Sequence, residues 1–392
     1  MRVLALNYEF PPLGGGAGNA TAQICRELTQ LGCCVEVVTS WYPGTARREE
    51  RDGYTVHRVP VLRRRVDRSS PLEMASFTAN ASFTAVRLTR RFRPDIVHVY
   101  FGVPTGPLGL LAKRLTGVPY LLSLRGGDVP GFLAKTLGSM HRAIAPVNRW
   151  VWREASVIVA NSEGLRELAQ DQMGLPVELV PNGVDLEAFA PRTGPNGGGS
   201  EQRAEGAPLR ALFVGRLVGQ KGVRYLIEAL PGLPVEAEVV GAGPEEASLR
   251  DIARSLDVNE LAIFRGWVTR DEMPRMYRDA GVFVFPSFEE GMPNVVLEAM
   301  ASGLPVIATD IYGHRGLVQD GENGFLVPVA NPEALWTALA TLIADPDLRS
   351  RMGAAARLRA ESFSWRETAQ RYLELSERAI AGLPQREMAD AE

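Results

Sequence analysis

Short apolar runs recur along the chain, each closed by glycine, proline or polar residues, and between them lie segments whose apolar positions return every three or four residues. The first run, VLALNY at 3–8, passes through FPPLGGGAG at 10–18 into ATAQICRELTQLG at 20–32, a helical pattern that stops at Gly32. The strand VEVVT follows at 35–39. The alternation continues with DIVHVY at 95–100, a helix through GLLAKRLTG at 109–117, and the strands PYLLSL, ASVIVANS and VELVPNG. Such alternation predicts a parallel sheet covered by helices.

Between Pro191 and Pro208 the chain reads PRTGPNGGGSEQRAEGAP, without apolar periodicity, and this is the expected flexible boundary. The rhythm then restarts. Strand ALFVG, turn RLVGQKG and helix VRYLIEAL lead to strand EAEVVG, a helix around EEASLRDIARSLD, strand LAIFRG and helix RDEMPRMYRDA. Strand GVFVFPS then precedes a short helix opened by Pro293, and PVIATD and FLVPV close the series. The fold class expected is α/β, with two tandem doubly wound Rossmann-like domains at 1–190 and 209–362 and a cleft between them where the chemistry sits. A last helix, about 365–382, puts Trp365, Ala369, Tyr372 and Ala379 on one face ahead of a polar tail.

The 392 residues are 45% hydrophobic and 23% charged, which excludes disordered and fibrous classes. The apolar run at 281–285 stops at a proline, far short of the roughly 18 residues of a membrane span. The N-terminal run is too brief for a secretory signal of about 7–15 apolar residues, so a cytoplasmic location is expected. Cys25, Cys33 and Cys34 are odd in number and lack CxxC spacing, so they read as reduced packing residues. Charge is uneven: residues 1–190 carry 22 basic and 17 acidic groups, and residues 191–392 carry 21 and 29. Twelve arginines face five acids within 47–93, a surface that suits an anionic lipid or an acidic acceptor, or stands as a plain solvated face. Only three of the 43 basic residues are lysines, which makes Lys221 conspicuous.

The strongest constellation is PSFEEGMPNVVLEAMASGLPVIATD at 286–310. Glu290 falls on a loop and Glu298 about one turn inside the helix that Pro293 opens and Gly303 ends. Amides of Asn294, Val295 and Val296 at that helix start suit a phosphate or diphosphate. A carboxylate on each side accepts hydroxyl hydrogen bonds, which is the anatomy of a sugar nucleotide site. Two acids on a solvated loop and helix are the alternative. A second constellation, FVGRLVGQKG at 213–222, carries Arg216 and Lys221 just past a strand end, where a fork and a point charge can share a diphosphate. A third, PPLGGGAGN at 11–19, allows close backbone approach to a ligand at Gly14, Gly15 and Gly16.

Other chemistries fit poorly. GRLVGQKG lacks Walker spacing, VVGAGPEE at 239–246 lacks the third glycine of a dinucleotide turn, and no acid follows the second strand to hold a ribose. His57, His98, His141 and His314 are scattered, and the single DxD at 345–347 lies at a turn between helices, so no essential metal is expected. His98 reads either as a packing histidine or as a cleft residue.

Together FPPLGGGAGN, SLRGGDV at 123–129, VPNGVDLEAF at 180–189, FVGRLVGQKG, VVGAGP and the 286–310 segment resemble the family 4 glycosyltransferases of GT-B fold. The resemblance implies a retaining hexosyltransferase that uses a nucleotide-diphosphate sugar without a metal. It implies that Glu290 holds donor-sugar hydroxyls, Glu298 the ribose, and Arg216 and Lys221 the diphosphate. Gly291, Met292, Pro293, Asn294, Val295 and Val296 would form the loop and helix start around that diphosphate. Gly15 and Gly16 would belong to a loop over the donor, and Val268 would touch the base. Asp128 resembles an acid near the sugar or acceptor, and residues 363–392 would cross back to the first domain.

Two positions depart from the family pattern. Arg125 stands where a histidine is usual, permanently charged and unable to accept a proton, though able to neutralise a diphosphate or an acidic acceptor. Around Asp310-Ile311-Tyr312-Gly313-His314-Arg315-Gly316 the usual GG-x-x-E is replaced, with Tyr312 in a glycine place and Gly316 in the glutamate place. The expected acceptor is a saccharide or lipid-linked glycan of the cell envelope, with peripheral attachment at an anionic membrane surface open and no nucleic-acid partner. A nucleotide-sugar epimerase, a phosphorylase or a silent donor-binding subunit are the alternatives.

Overall fold

The structure, a computed structural model, describes residues 1–65, 69–191 and 208–382, apart from the side chains of Lys135 and Thr136. It divides into two compact units, one of residues 1–182 with 365–392 and one of residues 183–364. The connection expected at 191–208 lies, but for its end residues, outside the described part.

The first unit opens with β1 (Arg2–Leu6), α1 (Gly16–Gln30), β2 (Cys34–Ser40), β3 (Arg48–Arg51) and β4 (Tyr54–Val59). Next come α2 (Pro71–Phe92), β5 (Ile96–Tyr100), α3 (Gly106–Thr116), β6 (Tyr120–Ser123), α4 (Ala134–Glu154), β7 (Val157–Ala160), α5 (Glu163–Met173) and β8 (Glu178–Leu179). Its eight strands take the order β3-β4-β2-β1-β5-β6-β7-β8, parallel except for the β3–β4 hairpin. The central strands are apolar without alternation because helices bury both faces; β5, β6 and β7 have no exposed residue. Neither long helix, α2 or α4, announces itself as a simple apolar stripe. The start of α2 is fixed by a capping box, in which Ser70 accepts from the Glu73 amide and Glu73 from the Ser70 amide, with Pro71 at the first position. Cys25 and Cys33 are buried as expected of packing residues, but Cys34 is exposed at the start of β2.

The second unit runs β9 (Leu209–Val214), α6 (Val223–Glu228), β10 (Val235–Val240), α7 (Glu246–Ser255), β11 (Ala262–Gly266), α8 (Met273–Asp279) and β12 (Val282–Phe285). It continues with α9 (Asn294–Ala301), β13 (Val306–Thr309), α10 (Tyr312–Arg315), β14 (Gly324–Val327), α11 (Pro332–Ala344) and α12 (Pro346–Ala360). Six parallel strands take the order β11-β10-β9-β12-β13-β14. Asp345, part of the DxD at 345–347, caps α12 by accepting from the Leu348 amide. The strand order reverses between β9 and β12, leaving a crevice beyond their carboxyl ends, where doubly wound sheets bind ligands.

The last helix, α13 (Trp365–Ile380), belongs to the first unit and buries Trp365, Ala369, Tyr372 and Ala379 there. A buried polar chain fastens it. Ser376 Oγ donates to the Tyr372 carbonyl at 2.6 Å, so it receives the Nε2–H of His98 at 2.8 Å. Burial drives the His98 pKa down to about 3, which keeps the imidazole neutral and makes it a packing residue. Along the same helix, Arg371 and Arg378 reach the buried Glu178 at 3.1 and 3.3 Å. Ser376→Ala removes the partner of a fully buried ring nitrogen and should destabilise the protein by about 1–3 kcal/mol. Thermal melting read by circular dichroism checks this, and an unchanged midpoint contradicts it.

Candidate active site

Two loops leave adjacent strand ends at the reversal point of the second unit. The loop after β9 contains Arg216 and ends in a 3₁₀ turn at Gly219–Lys221, and the loop after β12 runs from Pro286 to the start of α9. They are stitched through Gln220. Its carbonyl accepts the Phe288 amide at 2.8 Å and the Ser287 hydroxyl at 3.0 Å, while its side-chain amide donates to the Glu289 carbonyl at 2.6 Å. Gly222 makes this approach feasible: its φ is +63°, and a Cβ there would stand 2.1 Å from the Pro286 carbonyl oxygen.

The stitching brings Lys221 and Glu290, 69 residues apart in sequence, into direct contact, with Nζ 2.6 Å from Oε1. Both side chains are largely buried, and the ammonium also stands 5.0 Å from the centroid of the Phe285 ring. The Ser287 hydroxyl lies against the same carboxylate oxygen, its single proton shared between Glu290 Oε1 and the Gln220 carbonyl. Glu290 is thereby oriented before any ligand arrives, through Oε1 alone. An ammonium has three donors, so Lys221 can keep this bond and still reach an anion. The wall behind is equally fixed: Thr309 donates its hydroxyl to the Ser287 carbonyl, and His314 Nδ1 donates to the Thr309 carbonyl at 2.8 Å. Burial lowers the His314 pKa to about 4, so the ring is neutral.

The helix α9 begins at Asn294 with Pro293 as its extended N-cap, and Gly291 and Met292 are buried beneath the turn. One expected donor is already engaged, because the Val296 amide bonds the Pro293 carbonyl at 3.1 Å. Glu298 lies within the helix, and the Tyr277 hydroxyl of α8 donates to its carboxylate at 3.0 Å, with the Val295 carbonyl oxygen 3.3 Å from the same hydroxyl. Although the residue keeps some surface, its carboxyl is enclosed, and desolvation raises the pKa to about 7 against the opposing Tyr277 bond. Arg216 is exposed on the β9 loop, and Val268 is half-buried just past β11 beside Trp267, whose side chain is 76% exposed. VVGAGP is a packing turn, since a Cβ on Gly243 would come 2.2 Å from the Leu217 carbonyl oxygen.

The remaining expected residues lie in the first unit. Gly15 caps α1 and Gly16 is its first residue, so the glycine run enters a helix at once, and a Cβ on Gly15 would meet nothing within 4 Å. Arg125 is a brace: its guanidinium donates to Asn182 at 2.9 Å and to the Tyr372 hydroxyl at 3.1 Å and lies 5.2 Å over the Tyr100 ring. Asp128 is buried, accepting the Arg125 amide at 2.9 Å and the Gly102 amide at 2.8 Å. Desolvation raises its pKa despite those bonds. Arg125 thus ties its loop to α13 and to Asn182, and Asp128 ties the same loop to the turn after β5. The sequence reading passed over Gln220, Ser287, Tyr277 and Trp267, although three of the four sit beside or within quoted motifs.

A two-unit parallel α/β chain with this loop pair has the GT-B architecture of glycosyltransferases. The family model "Glycosyl transferases group 1" matches residues 200–359, and "Glycosyl transferase 4-like domain" matches residues 15–183. The chain is 32% identical over 431 residues to the D-inositol 3-phosphate glycosyltransferase of Kineococcus radiotolerans, covering 97% of itself and 95% of that protein. It is 33% identical over 374 residues to a GDP-mannose-dependent alpha-mannosyltransferase of Mycobacterium tuberculosis, covering 93% of each. Among solved structures it superposes on sucrose-phosphate synthase of Thermosynechococcus elongatus with a TM-score of 0.84 at 21% identity, covering 97% and 99% of the two chains. Anabaena HepE in complex with UDP gives 0.74 at 22%, covering 95% and 99%. The chain belongs to the group 1 glycosyltransferases and is an enzyme of that class.

Glu298 yields a test of the site's electrostatics. Its carboxyl has a pKa near 7 when folded and a lower one when unfolded, so folding loses stability as pH rises from about 4.5 to 7. Glu298→Gln should match the wild-type melting temperature at pH 4 and exceed it by a few degrees at pH 8 in the ligand-free protein. Equal midpoints at pH 8 contradict the buried-carboxyl account.

Proposed function

We propose that this enzyme transfers a hexosyl group, with retention of configuration, from a nucleoside-diphosphate sugar to an acceptor hydroxyl. The observation that carries the reading is the Lys221–Glu290 pair, held at the carboxyl ends of β9 and β12 beside the start of α9. A carboxylate with Oε1 already engaged offers Oε2 to sugar hydroxyls. Lys221, Arg216 and the amides of Asn294 and Val295 supply positive charge for the diphosphate. Glu298, joined to Tyr277, accepts from the ribose, and the base lies by Val268. HepE, solved in complex with UDP and with UDP-glucose, supports a donor of this class.

Breaking the sugar–phosphate bond places charge on the departing diphosphate. Fixed cations and helix amides stabilise that charge as it develops, each contact being worth about 3 kcal/mol in comparable sites. The acceptor hydroxyl attacks from the face the leaving group departs, and a diphosphate oxygen takes its proton. Glu290 orients the sugar and forms no bond to it. No metal is assigned a step; among the described residues no group of three or more His, Cys, Asp or Glu is placed to hold one. The retained Lys221, Glu290 and Glu298 favour this reading over an inactive donor-binding subunit, and a relative named as a mannosyltransferase favours it over an epimerase.

We place the acceptor among saccharides or lipid-linked glycans of the cell envelope. No helix among the described residues is long and apolar enough to cross a membrane. In α2, however, Leu72 and Phe83 are 69% and 74% exposed, and Arg87 and Arg90 continue the same face at helical spacing. Leu62, Arg64 and Arg65 add to this apolar and basic surface, which suits an anionic bilayer.

Lys221→Ala should lower turnover on the order of a hundredfold or more. The assay follows transfer from UDP-, GDP- and ADP-sugars in buffer containing EDTA, and the product anomer is read by NMR. Wild-type turnover with retention is expected; inversion, or a Lys221→Ala enzyme as fast as wild type, contradicts the mechanism. The protein should sediment with vesicles containing phosphatidylglycerol and stay in the supernatant with phosphatidylcholine alone. Equal binding to both removes the membrane assignment.

A further inference from the structure

Ser287 lies just past the end of β12, fully buried at the root of the Glu290 loop, and neighbours from two other strand ends fix it. Its carbonyl accepts the Thr309 hydroxyl from the end of β13. Its own hydroxyl stands between the Gln220 carbonyl of the β9 loop, at 3.0 Å, and Oε1 of Glu290. The Glu290 backbone has equally little freedom, because a Cβ on Gly313 of α10 would come 2.2 Å from the Glu290 carbonyl oxygen. What is left to move is the Glu290 side chain, and Ser287 and Lys221 both hold it through Oε1.

The two holds differ in kind. Lys221 carries its ammonium on a flexible four-carbon stem, and a diphosphate competes with Glu290 for that charge. Ser287 reaches Oε1 from a short side chain on a buried, pinned backbone. Its one proton has two acceptors, and the Gln220 carbonyl keeps the Phe288 amide at 2.8 Å whichever way that proton turns. When the ammonium shifts toward an anion, the hydroxyl can therefore turn wholly to Oε1. We propose that Ser287 is a positioning residue that keeps the Glu290 carboxylate in place for the donor sugar while Lys221 turns to the diphosphate. This inference rests on the donor reading above. Ser287 acts through Glu290 and makes no bond to the sugar or the phosphates.

Removing the hydroxyl leaves the stitching of the two loops intact, since the Phe288 amide still serves the Gln220 carbonyl and the Gln220 side chain still serves the Glu289 carbonyl. The experiment uses the full chain and measures dissociation constants by calorimetry for UDP and UDP-glucose, GDP and GDP-mannose, and ADP and ADP-glucose. The quantity read is the ratio of the sugar-nucleotide constant to the bare-nucleotide constant for the pair bound most tightly. Glu290→Ala should raise that ratio roughly tenfold or more, and Ser287→Ala about fivefold or more, with the bare-nucleotide affinity of Ser287→Ala within about twofold of wild type. Added to Glu290→Ala, Ser287→Ala should change the ratio by less than about twofold, because its effect passes through that carboxylate; a loop that was merely loosened would lose affinity in both backgrounds. Should Ser287→Ala fail to fold by its melting curve, Ser287→Cys replaces it, a weak donor of similar shape with an expected rise of about threefold. An unchanged ratio in the folded Ser287 variant, or an equal effect of that variant in the Glu290→Ala background, overturns the inference while the dependence on Glu290 stands. An unchanged ratio in Glu290→Ala, or no binding of any of these nucleotides by wild type, overturns the donor reading and this inference with it.

Discussion

A Cβ on Gly222 would stand 2.1 Å from the Pro286 carbonyl oxygen, and the three contacts of Gln220 hold the two loops at that separation. This close backbone approach, at the point where the sheet order reverses, is the constraint on which the site depends. It turns two sequence-distant charges, Lys221 and Glu290, into a pair with one shared oxygen and unspent donors and acceptors. It also explains why the site has little to reorganise. Thr309, His314 and Gly313 back the Glu290 loop from β13 and α10, so the carboxylate is fixed from two sides before ligand binds. Charged groups placed in advance stabilise a developing charge better than groups that must move.

The first unit handles polarity differently. Its buried polar groups run from His98 through the Ser376 hydroxyl to the Tyr372 carbonyl, while the Tyr372 hydroxyl separately meets Ser123 and Arg125. Arg125 also reaches Asn182, the last residue of that unit before the chain leaves it. A permanently charged guanidinium suits this work, since it satisfies several acceptors from a fixed plane, and it costs the position any ability to move protons. The departure from the usual histidine is thus balanced by a structural role in docking α13.

What could be read from the sequence follows from which forces are local. Strands such as VFVF at 282–285 were legible because helices on both faces demand unbroken apolar runs. The last helix was legible from a stripe of four apolar residues. By contrast, α2 is rich in Ala, Ser and Thr with a weak stripe, and its apolar exposed face blurs the pattern further. In α4 Pro146 interrupts the helical signal. At the site, residue types and spacing singled out Glu290, Glu298, Arg216 and Lys221. The direct Lys221–Glu290 contact, the engaged Val296 amide and the inward role of Asp128 were not legible, because each depends on a partner set by the tertiary fold. Tyr312 was visible only as a departure from a pattern; its bond to Glu289 gives the departure a physical meaning.

The central claim is that the loops after β9 and β12 grip a diphosphate through Lys221 and the start of α9. A crystal structure of the enzyme with its preferred nucleoside-diphosphate sugar tests it most directly. The account predicts a diphosphate oxygen within hydrogen-bond distance of Lys221 Nζ, another at the amide of Asn294 or Val295, and a sugar hydroxyl on Glu290. A diphosphate bound away from Lys221, with the Lys221–Glu290 pair closed over an empty crevice, contradicts it.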